Sequence, residues 1–123
     1  LTLRPGDYKR ASFGRAAHDL VLMSHITHDE GPEANRALFR KAHRALRCGG
    51  TLVVHDFMVD DDRAAPLFGA LFSVHMLAYT ARGRTYTARE YKLWLREAGF
   101  GRFVERPVAR DLKNASVMIA ARK

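Results

Sequence analysis

The chain has 123 residues, 47% of them hydrophobic and 28% charged, which suits one globular domain with a modest core rather than a disordered segment. Its single cysteine, Cys48, excludes an internal disulfide and fits a reducing, cytoplasmic setting, and no apolar run is long enough for a membrane-spanning helix. The net charge of +8 admits a polyanion partner, but the Lys and Arg residues are scattered and do not interleave with exposed aromatics.

The chain opens on Leu1-Thr2-Leu3, without an initiator Met or a signal-peptide pattern, and is expected to be a piece from within a longer protein. Leu1 to Leu3 reads as the end of a strand, and Arg4-Pro5-Gly6-Asp7 as a turn. His18 to Ser24 is a short, nearly continuous apolar run, the pattern of a strand buried on both faces. Gly31-Pro32-Glu33 opens a helix, with Pro near the first helical position and an early acid. Ala34, Leu38, Ala42, Ala45 and Leu46 share its apolar face; Arg36, Arg40, Arg44 and Arg47 take the other. Gly49-Gly50 is expected to stop this helix, and Thr51 to Val59 to form the next buried strand.

Asp60-Asp61-Asp62 is an acidic loop placed to cap the helix that follows. Ala64 to Thr80 is apolar nearly all round, so that helix is expected to be buried on most sides, against a core, a ligand or another subunit. Thr87-Ala88-Arg89-Glu90 has capping-box spacing and opens a helix carrying Tyr91, Leu93, Trp94, Leu95 and Ala98, closed by Gly99. Phe103 to Val108 and Ser116 to Ala121 read as an antiparallel pair turning around Lys113-Asn114. The alternation of strands and helices predicts an α/β domain with a largely parallel, helix-covered sheet.

Two apolar strands end in chemistry-bearing residues: one runs into His25-Ile26-Thr27-His28-Asp29-Glu30, the other into His55-Asp56. Ligands sit at the carboxyl ends of strands in open α/β sheets, and a His paired with a carboxylate there suits a general base. His25, His28, Asp29, His55 and Asp56 are also ligand types for zinc or iron, which admits a metal-dependent hydrolase, although no His-Glu-x-x-His spacing occurs. A basic nucleic-acid-binding module is the non-enzymatic alternative. His25 and His55 read as packed residues, and His18, His43 and His75 as surface or pocket-lining ones. Asp7 also suits a simple turn former, and Met76 a core position.

Three segments carry a family resemblance: His18 through Asp29, Leu46-Arg47-Cys48-Gly49-Gly50-Thr51-Leu52-Val53-Val54-His55-Asp56, and Glu97-Ala98-Gly99-Phe100. Together they resemble the C-terminal half of class I S-adenosylmethionine (SAM)-dependent O-methyltransferases. The nearest group is the plant-type one that includes caffeate, hydroxyindole and bacterial polyketide or carotenoid enzymes. The resemblance implies a partial Rossmann-like fold, mostly parallel with an antiparallel last strand and helices on both faces. It implies methyl transfer from SAM to a hydroxyl of a small, aromatic or polyketide-like acceptor, without a metal, in a cytoplasmic homodimer.

Residue by residue, the resemblance places His28 on the catalytic base and Asp56 on a carboxylate that orients it. Asp7, Tyr8 and Ser24 fall on cofactor-binding positions, and Asp29, Met76 and Thr80 on acceptor-binding ones. The chain departs from the pattern at Glu30, where the family has Trp, at Thr85, where a second bracketing acid falls, and at Cys48, a common Pro. The N-terminal dimerisation domain, the Gly-rich loop and the ribose-binding acid have no counterpart. The resemblance therefore implies that the chain alone binds SAM weakly or not at all. It also implies an open edge on the strand ending at His25 and an uncovered apolar helix, and hence self-association.

Overall fold

A computed structural model describes residues 2–108 and 116–123. Leu1 and the expected turn at Lys113-Asn114 lie outside the described residues. The elements are β1 (His18–Ser24), a 3-10 turn (Thr27–Asp29), α1 (Pro32–Ala45), β2 (Leu46–Val59), α2 (Leu67–Tyr79), β3 (Tyr86–Thr87), α3 (Ala88–Glu97), β4 (Gly101–Pro107) and β5 (Ser116–Arg122). Thr2 and Leu3 join no strand, so the expected strand end there is not formed.

The sheet order is β1-β2-β5-β4, with the two-residue β3 added to the end of β2. β1 runs parallel to β2, from Leu20 opposite Thr51 to Ser24 opposite His55. β5 inserts antiparallel between β2 and β4. β1, β2 and β4 therefore share one direction and the last strand opposes them, the topology that the resemblance implied. Both carboxyl ends, Ser24 and the His55–Asp56 region, come to the same edge of the sheet.

Strand β2 is longer than expected. Helix α1 ends at Ala45, and Gly49-Gly50 lies inside the strand rather than at a helix stop. The pairing explains the difference. His18 faces Leu46 but Leu20 already faces Thr51, so β2 accommodates extra residues in a bulge. Gly49 sits there at φ +76, and a Cβ on Gly50 would meet the Arg47 carbonyl oxygen at 3.0 Å and that of Asp19 at 3.2 Å.

Along β2 the period of two buries Leu52, Val54, Asp56 and Met58 on one face. This face packs against Leu38, Phe39 and Ala42 of α1 and Tyr91, Trp94 and Leu95 of α3, with Ile119 and Ala121 from β5. Truncating one such side chain to Ala typically removes about 2–5 kcal/mol of stability. Helix α3 starts as predicted: Thr87 accepts from the Glu90 amide while the Glu90 side chain accepts from the Thr87 amide. Gly31 caps α1, with Pro32 in its first turn.

Three expectations are corrected. β1 is not buried on both faces: Met23 is buried, but Leu20 and Leu22 are 60% and 59% exposed. Helix α2 is not buried on most sides: only Gly69 and Met76 are buried, while Leu67, Leu71, Val74 and Leu77 face outward. In both cases no described residue packs on the second apolar face. Finally, the acidic loop does not cap α2, whose N-cap is Pro66 and whose first turn holds no acid. The acids lie too far upstream; Asp62 accepts the Ala64 amide instead, and Asp61 faces Arg89 at 3.7 Å. Among the described residues no helix is long and apolar enough to cross a membrane.

Candidate active site

At the end of β1, His25 adopts φ +53 and turns the chain into the 3-10 turn. The turn carries His28 over the end of β2. There the fully buried Asp56 receives His28 Nδ1 at 2.5 Å, the His28 amide at 3.1 Å and the Phe57 amide at 2.8 Å. The Thr27 hydroxyl also donates to Asp56, and lies 2.7 Å from the Tyr91 hydroxyl. A buried carboxylate is costly unless hydrogen-bonded, and these donors meet that requirement.

Burial alone lowers the pKa of His28, but the hydrogen bond to Asp56 and the charges of Asp56 and Asp29 outweigh it, and the imidazole is held above its ordinary value. Its second nitrogen, Nε2, lies 3.5 Å from the half-exposed Asp29 carboxylate. Burial pushes the Tyr91 phenol well up, with the Asp56 charge adding, so it stays protonated.

An aromatic wall flanks the imidazole. Phe72 of α2 meets the His28 ring edge-on at 4.9 Å, Phe57 lies 4.7 Å from Phe72, and Phe68 lies 4.9 Å from Phe57. Thr85 does not reach His28; its hydroxyl donates to the Gly69 carbonyl and ties the loop to α2. Asp56 is thus the buried carboxylate at the ring, with Asp29 outside.

His25 Nδ1 lies 3.9 Å from the same Asp56 oxygen, its ring packed on His55 and Phe57, and burial lowers its pKa. His55 points to the opposite face of β2, between the hydroxyls of Ser24 and Ser116 at 2.9 and 2.8 Å. His25, His28 and Asp56 could each offer one metal-ligand atom within 4.8 Å of the others. The Asp56 oxygens are already occupied by the donors around them, so the cluster is organised as a hydrogen-bonded His–Asp pair.

The remaining predicted residues divide into two groups. Tyr8, Asp29 and Thr80 line one cavity of about 550 Å³, together with Lys9, Glu30 and Arg82. Asp7, Ser24 and Met76 are not part of it. The Asp7 carboxylate accepts the Lys9 amide within its turn, Ser24 is committed to His55, and Met76 is buried. Glu30, at the family's Trp position, accepts from the Tyr8 phenol at 2.5 Å and pairs with Lys9 at 2.7 Å. Burial, reinforced by Glu30, pushes the Tyr8 phenol far up, so it remains a donor.

Much of the basic charge has partners. Arg36 pairs with Glu97 over the Trp94 ring, Arg47 with Asp19, Arg63 with Glu90 and Lys92 with Glu105. The Lys41 ammonium is held by the carbonyls of Tyr8, Lys9 and Ala11.

Sequence reasoning missed Thr27, Tyr91 and Asn35. Asn35 donates through Nδ2 to the carbonyls of Thr27 and Glu30. A polar residue on the apolar face of α1, three before Leu38, was its available signal. Thr27 and Tyr91 are 64 positions apart and had none.

A sheet of this order, with an imidazole–carboxylate pair at its strand ends, defines an α/β domain of Rossmann-like type. The structure of human N-acetylserotonin methyltransferase in complex with SAM matches 98% of this chain and 33% of that one, at a TM-score of 0.85 and 28% identity. The family model of the O-methyltransferase domain matches residues 1–101, and the chain belongs to that family. Its relatives include the 3-hydroxy-5-methyl-1-naphthoate 3-O-methyltransferase of Streptomyces sahachiroi, 44% identical over 68% of this chain and 24% of the relative. The tetracenomycin polyketide synthesis 8-O-methyl transferase TcmO of Streptomyces glaucescens is 39% identical over 77% of this chain and 27% of its own length. The chain thus spans about a quarter of these two relatives. Family membership removes the metal-hydrolase alternative.

Proposed function

We propose that the protein carrying this chain transfers a methyl group from SAM to a hydroxyl of a small aromatic or polyketide-like acceptor, with His28 as general base. The observation that carries this reading is the 2.5 Å bond between His28 Nδ1 and the buried Asp56. With Nδ1 donating to Asp56, the tautomer is fixed and the Nε2 lone pair is left to take the hydroxyl proton. Asp56 then stabilises the imidazolium. Asp29, near Nε2 and half exposed, gives way to the acceptor or orients its hydroxyl. Phe57, Phe68 and Phe72 offer ring faces and edges to an aromatic acceptor. The relatives that act on a naphthoate and in tetracenomycin polyketide synthesis support that acceptor class.

The donor set around Tyr8 fits SAM in part. An aromatic ring and the Asp29 carboxylate in one cavity suit a cationic ligand with a planar base, while Glu30 is held by Tyr8 and Lys9. Tyr8, with its chain neighbour Asp7, would hold the adenine side. When bound, SAM supplies an activated methyl group on a sulfonium, and this chain's part is alignment and proton removal. Met76 and Thr80 are proposed to contact the acceptor, Thr80 from the wall of this same cavity.

The protein is further proposed to act in the cytoplasm as a homodimer, and the chain alone to bind SAM weakly or not at all and to self-associate. The exposed Leu20 and Leu22 on β1 and the apolar outer face of α2 support the last point. Replacing His28 by Ala in the full-length enzyme tests the central reading. Turnover should fall by roughly two to four orders of magnitude; near-normal turnover would remove His28 from the mechanism. Micromolar SAM binding by a strictly monomeric chain, seen by calorimetry and light scattering, would overturn the second part.

A further inference from the structure

Among the residues that α1 buries, Asn35 alone is polar; Leu38, Phe39, Ala42 and Ala45 make up the rest. Its side chain is completely buried. Nδ2 donates to Thr27 O at 2.9 Å and to Glu30 O at 3.1 Å. Those carbonyls belong to the residue before His28 and to the second residue after it, the two ends of the turn that carries the imidazole. Tyr86 approaches the same Glu30 carbonyl and donates its hydroxyl at 2.6 Å.

The amide has one workable orientation. Turned over, Oδ1 would face two carbonyl oxygens and both of the Asn35 hydrogen bonds to the turn would be lost. In the orientation present, Oδ1 has no hydrogen-bond partner among the described residues. Filling this part of the core does not require an amide: Leu has a similar volume and would leave no unpaired oxygen. What Asn35 supplies and Leu cannot is the pair of N–H donors across the turn.

We propose that Asn35 is a positioning residue for His28. By tying the carbonyls of Thr27 and Glu30 together, it fixes the turn so that the imidazole stays in register with Asp56. Tyr86 serves the same turn through the Glu30 carbonyl. The effect on turnover rests on His28 being the base; the effect on the imidazole itself does not.

The test is Asn35→Leu. His28 is titrated by NMR of labelled histidine in the full chain, and turnover and its pH profile are measured in the complete enzyme. The His28 titration should move down toward its ordinary range as contact with Asp56 loosens. Turnover should fall by roughly 10- to 100-fold with KM for the acceptor little changed, the size of loss typical of a misplaced reacting group. An unchanged His28 titration overturns the proposal, whether or not the variant is less stable. If Asn35→Leu does not fold, Tyr86→Phe removes one hydroxyl from the same turn, and the same downward shift is expected at smaller size; no shift overturns the proposal. Normal turnover in His28→Ala would instead reject the base assignment and leave the titration result to decide on Asn35.

Discussion

Gly83 lies directly against the backbone of His28. A Cβ there would overlap the His28 carbonyl oxygen, and would come within 2.5 Å of Thr80 Oγ1 and 3.0 Å of the Asp29 Cα. The loop after α2 therefore closes on the His28 turn only because residue 83 has no side chain. Thr80 holds the loop in place by accepting the Gly83 amide at 2.7 Å.

Gly83→Ala should displace the His28 turn or the loop. We expect a loss of about 1–3 kcal/mol in stability, the usual range for overpacking. Turnover should drop more than the stability change explains, because the displaced atoms adjoin the base. Thermal unfolding and steady-state kinetics of the variant check both effects. Wild-type values in both would mean that the loop yields freely.

The pH dependence follows from the His28–Asp56 pair. The folded pKa of His28 is raised above 6.5, so its stabilising contribution is complete below pH 6.5 and is lost as pH rises through the folded pKa. His25 and His43 have lowered values, mainly through burial, so their contributions are present above pH 6.5 and lost as pH falls through the folded values. Turnover needs the neutral base, so kcat/KM should climb as pH increases beyond 6.5. A profile already flat at pH 6.5 would contradict this assignment.

Asp56→Asn keeps the shape but removes the charge that holds His28 up. The rising limb of the profile should then move to lower pH, and turnover should fall by roughly two to four orders of magnitude, as when a triad-type carboxylate is replaced. Retained turnover with an unshifted limb would assign the orienting role elsewhere.

Glu30→Leu strands the Tyr8 phenol and the Lys9 ammonium. The half-buried phenol loses its acceptor, at a cost of about 1–3 kcal/mol in stability. In the complete enzyme, KM for SAM should rise more than kcat falls, since Tyr8 and Glu30 line the cavity and hold each other and Lys9 rather than His28. A kcat loss without a KM change would separate this cluster from cofactor binding.

Self-association through β1 predicts that Leu20→Lys with Leu22→Glu lowers the average mass of the chain in light scattering. Both side chains are more than half exposed, so the core should be unaffected and the far-ultraviolet circular dichroism unchanged. An unchanged mass would move the contact to α2.

Strands β1, β4 and β5 and the three helices were readable because each rests on local pattern, whereas His28 was singled out by the family resemblance, the two-residue β3 was not read, and the strand end at Leu3 did not form. The apolar run before Ser24, the Pro32 start and the Thr87–Glu90 box are all short-range signals. The bulge at Gly49-Gly50 was not readable, because Gly-Gly after an amphipathic helix looks the same whether it ends the helix or bends a strand; the pairing with β1 decides. The exposure of β1 and α2 was misread from composition alone, since apolar periodicity records which faces can be buried and not what covers them. The Thr27–Asp56–Tyr91 contact joins three distant elements, and no local spacing announces it.

That last contact makes the site a late arrival in folding. Thr27, Asp56 and Tyr91 come from separate parts of the chain, and Asp56 has its full set of donors only when all three have met. Loop closure must precede such contacts, so they form after the local helices. A collapsed chain that has α1 and α3 but has not docked them on β2 would leave Asp56 in water and His28 titrating like a free histidine. The imidazole is thus a built-in gauge of native closure: its titration separates a finished domain from a compact but unfinished one, where helix content cannot.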